Sequence, residues 1–132
     1  MARVIFHCPL CERIAAGMLA CENPLAVAFN DRYPVNPGHT LIVPRRHVDD
    51  FFTLTEDEQV AIWSLLPPLK EVLAREFGPA GYNVGLNAGA AAGQTVPHVH
   101  VHVIPRYPGD VPDPRGGVRW IVPDRADYWS TK

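Results

Sequence analysis

Little in this chain favours a secreted, membrane-spanning or nucleic-acid-coating protein. Its 132 residues hold three cysteines, an odd number that makes a poor disulfide framework. No apolar stretch is long enough to span a bilayer. A basic start followed by an apolar segment and a cleavage site is also missing, so a secretory signal is not expected. Charge of one sign is not in excess: 12 Lys and Arg face 14 Asp and Glu, for a formal net charge of -2, which argues against a basic stripe for nucleic acid. Neither an internal repeat nor a second domain is visible. These absences point to a single cytoplasmic domain over residues 1–132. Its 47% hydrophobic residues suffice for an ordinary core without a covalent staple.

What the chain does have is His98-Val99-His100-Val101-His102-Val103. Strict alternation is the period of a β-strand, whose successive side chains point to opposite faces. A strand over residues 96–104 would put the three imidazoles on one face and the three valines in a core. A solvent-facing strand would be served as well by Thr, Lys or Glu. Three imidazoles together suit nucleophilic, acid–base or metal chemistry near neutral pH. Same-face neighbours lie about 6.5–7 Å apart along a strand, so His100 would have a separate helper on either side. A neutral imidazole can attack phosphorus and split one displacement into two. The competing local reading is a zinc site, since His-x-His on a strand is a familiar ligand spacing.

Two further features bear on this choice. Residues 88–95, Ala-Gly-Ala-Ala-Ala-Gly-Gln-Thr, form a small-residue loop whose backbone can approach a ligand and donate N–H groups to phosphate. Gln94 and Thr95 add polar side chains where the strand begins. Cys8-Pro9-Leu10-Cys11 is a CxxC pair, which in a reducing compartment is more often a metal or redox motif than a bridge. With two histidines it would complete a closed Cys2His2 site.

Elsewhere, helical turns are expected over 11–16, stopped at Gly17. Strands are expected over 25–30, 39–44 and 81–87, the first two pairing antiparallel, with turn chemistry at Asp31–Pro34 and Pro37-Gly38. Thr55 and Glu58 form a capping-box pattern. From there Val60, Trp63, Leu66, Leu69, Leu73 and Phe77 recur at three- and four-residue steps as one apolar stripe. Pro67 and Pro68 interrupt it, so a kink or two helices in series is expected. The tail from Pro123 needs a partner, or packing on the body, to be ordered.

The stretch Gly93 to Ile104 closely resembles the signature of the histidine-triad (HIT) superfamily. Cys8–Cys11, Asn30-Asp31, Pro37-Gly38-His39, Pro44-Arg45-Arg46-His47 and the long helix extend the resemblance over most of residues 8–110, with 111–132 as a C-terminal extension. It implies an α+β fold with about five antiparallel strands, a long helix packed on the sheet, and a homodimer. It implies cleavage or transfer at the α-phosphorus of a nucleotide, with His100 as nucleophile and His102 and His39 as supporting histidines. Gln94, Thr95, His102, Asn30 and Asn87 would bind the nucleotide, Gln94 also positioning the attacking group and Asn30 facing the ribose. Apolar residues around Phe6, Leu25 and Val27 would hold the base. Many bacterial members carry structural zinc, on ligands that map here to Cys8, Cys11, His47 and His98. Gly93-Gln94-Thr95 before the triad, with Pro105-Arg106 and Gly109-Asp110 after it, is similar to the fragile-histidine-triad and diadenosine polyphosphate hydrolase branch. The phosphoramidase branch, with Gly-Gln-Ser and Gly-Gly-Arg there, is the alternative within the chemistry. A nucleotide-binding dimeric adaptor is the alternative outside it.

Overall fold

Strands β1 (Cys21–Glu22), β2 (Ala26–Asn30), β3 (Thr40–Pro44), β4 (Gly81–Leu86) and β5 (Val101–Arg106) form one antiparallel sheet in the order β1-β2-β3-β5-β4. The protein is described by a computed structural model covering residues 7–130. The expected pairing of the first two long strands is present, with Ala26 opposite Pro44 and Asn30 opposite Thr40. β1 escapes a reading by periodicity because two residues carry no alternation.

Helix α1 (Pro9–Ala16) lies against one face of the sheet; α2 (Glu56–Ser64) and α3 (Leu66–Phe77) lie on the other. The capping box is there: Thr55 Oγ1 accepts from the Glu58 N–H, and Glu58 Oε1 accepts from the Thr55 N–H. Of the two expectations for the prolines, the structure has two helices in series. The break falls at Leu65, which puts Pro67 and Pro68 in the first turn of α3, where backbone N–H groups have no partner four residues back. The single apolar stripe is therefore only partly right. Leu69 and Leu73 are buried, but Val60, Trp63 and Phe77 are 62%, 39% and 40% exposed. The break shifts the helical phase, and α2 turns Glu58, Ala61 and Ile62 inward instead.

The larger core joins Ala28 and Ile42 of the sheet to Ile62, Leu65, Leu69 and Leu73, and takes in Val99, Val101 and Val103 as the alternation requires. Burying each valine, leucine or isoleucine among them contributes about 1.5–3 kcal/mol. Val27, Phe29, Leu41 and Val43 form a second cluster on the opposite face with Cys8 and Leu10. Val27 is sealed there, so it offers no surface to a base; Leu25 is exposed, and Phe6 lies outside the described residues.

The histidine strand begins later than expected, at Val101 rather than residue 96. Pro97 has no N–H to give a ladder, and the chain bends over residues 96–98. The Val99 N–H then goes to the Val48 carbonyl at 2.7 Å. His98 is thereby withdrawn from the row. The C-terminal tail is ordered by packing on the chain itself. Ala126 is fully buried, and the Arg119 guanidinium donates to the Ala126 and Arg125 carbonyls at 2.8 Å each.

Candidate active site and metal centre

His98 leaves the row for a cluster with Cys8, Cys11 and His47, whose donor atoms all lie within 4.8 Å of one another. The bend at Pro97 swings His98 under β3, where its Nε2–H donates to the Pro44 carbonyl at 2.9 Å. A carbonyl can only accept, so Nδ1 is left with a bare lone pair, the arrangement that suits a metal-binding imidazole. That Nδ1 stands 3.5 Å from each cysteine sulfur and 3.2 Å from His47 Nδ1, while Cys11 Sγ stands 3.5 Å from His47 Nδ1. Around a tetrahedral ion with bonds of about 2.3 Å to sulfur and 2.0–2.1 Å to nitrogen, the sulfur–nitrogen edges come to about 3.5 Å and nitrogen–nitrogen edges to about 3.4 Å. The donor set and its spacing thus fit a metal. Burial and the neighbouring Cys8 push the Cys11 thiol up to about 11. Binding a cation must therefore displace its proton.

The other two triad histidines gather with His39. The Val35 N–H donates to His39 Nδ1 at 3.1 Å. The His39 proton therefore sits on Nε2, which is 2.9 Å from His102 Nδ1 and 3.4 Å from an Asp31 carboxylate oxygen. His102 accepts on Nδ1 and carries its own proton on Nε2. Burial lowers the pKa of both rings, against the smaller upward pull of Asp31, which keeps them neutral at pH 7. His100 is set the other way round. Its Nδ1–H donates to the His98 carbonyl at 2.7 Å, so Nε2 is the bare nitrogen. The His100 and His102 rings lie 5.2 Å apart. One bare imidazole nitrogen thus stands beside an imidazole N–H donor, an arrangement suited to attack on a centre whose oxygens need stabilising.

The remaining expected residues are spread around this pair. The β4–β5 register, with Leu86 opposite Val101, carried one residue further places half-buried Asn87 beside His100. Gln94 braces the small-residue loop: its Oε1 accepts from the Gly89 N–H at 2.9 Å, and its Nε2 donates to the Asp49 and Val96 carbonyls at 2.8 and 3.1 Å. With Thr95 it lines a cleft of about 540 Å3 between that loop and Asp49–Asp50. Asn30 is exposed, and its Oδ1 accepts from the Arg13 guanidinium at 2.9 Å. Its neighbour Asp31 is the one that reaches His39. The signal was available, because Asp31, one residue past the end of β2, keeps the parity of Val27 and Phe29. Arg106, at the end of the histidine strand, is neither a free surface charge nor a free phosphate partner: its guanidinium grips both oxygens of Asp110 and donates to Asn83 Oδ1 at 2.7–2.8 Å. No local pattern announces a contact made across a turn and a neighbouring strand.

Fold and site together define a histidine-triad protein, and the chain belongs to the HIT domain family, matching it over residues 15–109. It is 40% identical over 86 residues to the asymmetrical bis(5'-nucleosyl)-tetraphosphatase of Schizosaccharomyces pombe, covering 65% of this chain and 47% of that protein. It is 38% identical over 95 residues to the AP-4-A phosphorylase of Mycobacterium tuberculosis, covering 71% and 49%. The chain thus spans about half the length of these two relatives. Among solved structures, a HIT family protein from Bacillus anthracis superposes with a TM-score of 0.71 at 39% identity, over 78% of this chain and 75% of the other. A zinc-bound histidine triad family protein from Mycobacterium smegmatis superposes with a TM-score of 0.70 at 27% identity, over 80% and 84%.

Proposed function

We propose that the protein is a nucleotide hydrolase that cleaves at the α-phosphorus of a dinucleoside polyphosphate of the diadenosine type, through a nucleotidyl-His100 intermediate. The observation that carries this is the tautomer of His100, whose Nδ1–H is committed to the His98 carbonyl at 2.7 Å, leaving Nε2 bare. Nε2 attacks the α-phosphorus, and the P–O bond to the departing polyphosphate breaks with its electron pair leaving on oxygen. Water then attacks the same phosphorus, the P–N bond breaks, and the pair returns to Nε2 while the water proton goes to solvent. His102 Nε2–H donates to a non-bridging oxygen throughout. His39, held by Val35 and Asp31, fixes the His102 tautomer. Gln94 and Thr95 bring the loop N–H groups to the phosphates, and Asn87 adds a donor beside His100. Asn30 serves the ribose only by exchanging Arg13, whereas Asp31 is already turned inward. The relatives named for tetraphosphate substrates support the substrate class.

In this reading Cys8, Cys11, His47 and His98 hold a structural zinc, which ties α1, the segment after β3 and the start of the histidine strand together; the zinc-bound structural neighbour supports it. Residues 8–110 are the domain core and 111–132 its extension. A homodimer is supported by the open edge of β4 and by exposed Phe52, Val60 and Trp63. Free cysteines agree with a cytoplasmic setting, and among the described residues no helix is long and apolar enough to cross a membrane.

The test is turnover of diadenosine tetraphosphate against an adenosine phosphoramidate, with His100→Asn as the blank. Faster, His100-dependent cleavage of the dinucleotide is expected. Preference for the P–N bond would move the protein to the phosphoramidase chemistry. No His100-dependent turnover of either would overturn the assignment.

A further inference from the structure

The face of the sheet that carries His102 continues past it. Strand alternation puts Ile104 and Arg106 on the same face, and Asn83, directly opposite Ile104 in β4, joins them. Above these residues the C-terminal segment 111–120 folds back to wall one side of an open cavity of about 640 Å3. Val35, whose N–H orients His39, forms its wall on the triad side. From His100 to Ile104 is about 13 Å along the chain. All of segment 111–120 lies beyond the stretch matched by the HIT domain, so the cavity combines a floor from the shared domain with a wall from outside it.

Its chemistry favours a flat, neutral ring over a phosphate. Arg106 is the cation among the lining residues, and its guanidinium is engaged by Asp110 and Asn83. Asp113 is occupied by Arg115. The rest of the surface is mainly apolar, with Val111, Val118 and Trp120 facing Ile104. Trp120 is held before any ligand arrives: its Nε1–H donates to the Arg115 carbonyl at 2.7 Å, and its ring meets Trp129 edge-on at 6.4 Å. Gly116 makes room for that pair. It sits at φ +93, and a Cβ there would stand 2.9 Å from the Trp129 ring. Trp120 remains 45% exposed, which leaves indole surface for stacking. Asp110 and Asn36, bonded to each other at 2.8 Å, supply polar atoms at the base of the cavity.

We propose that this cavity is a second nucleoside subsite, which takes the base and ribose on the leaving-group side of the scissile phosphate, with Trp120 as its stacking wall. This rests on His100 attacking the α-phosphorus of a dinucleoside polyphosphate. The volume lies within the range of small-molecule pockets, and the distance from His100 leaves room for the bridging phosphates. The wild-type protein is accordingly selective for a dinucleotide over the same polyphosphate with one nucleoside.

The experiment compares kcat/KM for diadenosine tetraphosphate and adenosine tetraphosphate in the wild type, in Trp120→Ala and in Val118→Trp, which narrows the cavity. Stacking of one base predicts a preference of about 10-fold or more for the dinucleotide, carried in KM. Each substitution should collapse the ratio towards one. Equal kcat/KM in the wild type, or a preference that survives both substitutions, overturns the subsite while leaving the His100 chemistry standing. If neither compound turns over, the His100 chemistry falls, and binding decides the subsite. Adenosine is then titrated into His100→Asn already saturated with AMP. A saturable second equivalent lost in Trp120→Ala supports the subsite, and binding of a single equivalent refutes it.

Discussion

Glu58 is the buried charge on which this fold makes its sharpest prediction. It is a carboxylate on the inner face of α2, and it does two things at once. Its oxygens accept from Arg46 Nη2 at 2.7 Å and Nε at 3.0 Å, and Oε1 also accepts the Thr55 N–H at 3.0 Å to complete the capping box. Arg46 immediately precedes His47, so the pair fixes the segment that delivers the proposed metal ligand. The Arg46 hydrogen bonds, first of all, pull the Glu58 carboxyl from an ordinary 4.5 down to about 2, against the upward push of its burial. A depressed carboxylate stabilises the fold above its unfolded pKa, and that stability is lost as pH falls from about 4.5 to about 2. The shift corresponds to about 3 kcal/mol at neutral pH. Arg46 is 56% exposed along its side chain, and solvent screening brings the expectation to about 2 kcal/mol. Denaturant unfolding of the wild type and Glu58→Gln, from pH 7 down to pH 3.5, reads the difference directly. It should be about 2 kcal/mol at pH 7 and shrink as the wild-type carboxylate takes up its proton, with metal-ligand protonation cancelling between the two proteins. A difference that stays constant across that range would show that Glu58 acts by shape alone, and the electrostatic argument would fail.

Removing the proposed zinc with a chelator should lower thermal stability while the far-ultraviolet signature of the sheet persists, because the core between the sheet and α2–α3 includes none of the four ligands. At free zinc about 1,000-fold above the dissociation constant, the loss should be about 4 kcal/mol. Cys11→Ser should match it, and metal content measured on the purified protein is the check. Gly38→Ala should be costly at the neighbouring site: Gly38 sits at φ +87, and a Cβ there would stand 2.9 Å from Phe77 and 3.0 Å from Pro105. About 1–3 kcal/mol of destabilisation is expected. Turnover should fall as well, since His39 follows directly, and an unaltered melting curve would contradict the close approach.

The histidine row, the CxxC pair and the capping box were all legible in the residues, because each is a short-range pattern with one structural solution. Valine at every second position must enter a core, and Val99, Val101 and Val103 do. Thr55 and Glu58 satisfy each other across a single turn. The stripe through Val60 and Trp63 misled, since a helical phase holds only while the helix is unbroken, and Leu65 breaks it.

Which histidine does what is another matter. Side-chain period alone placed three equivalent imidazoles on one face. Only the tertiary structure separates them, by the partner set against one nitrogen of each: Pro44 O turns His98 Nδ1 to the thiol cluster, His98 O leaves His100 Nε2 bare for the proposed attack, and His39 holds His102 Nδ1. The cavity under Trp120 is of the same kind, since β5, β4 and the returning C-terminal segment meet there from distant stretches of chain. Sequence by itself determined the residue types and the local period, which are properties of neighbouring positions. Proton location and enclosure depend on partners brought from afar, and folding alone decided them.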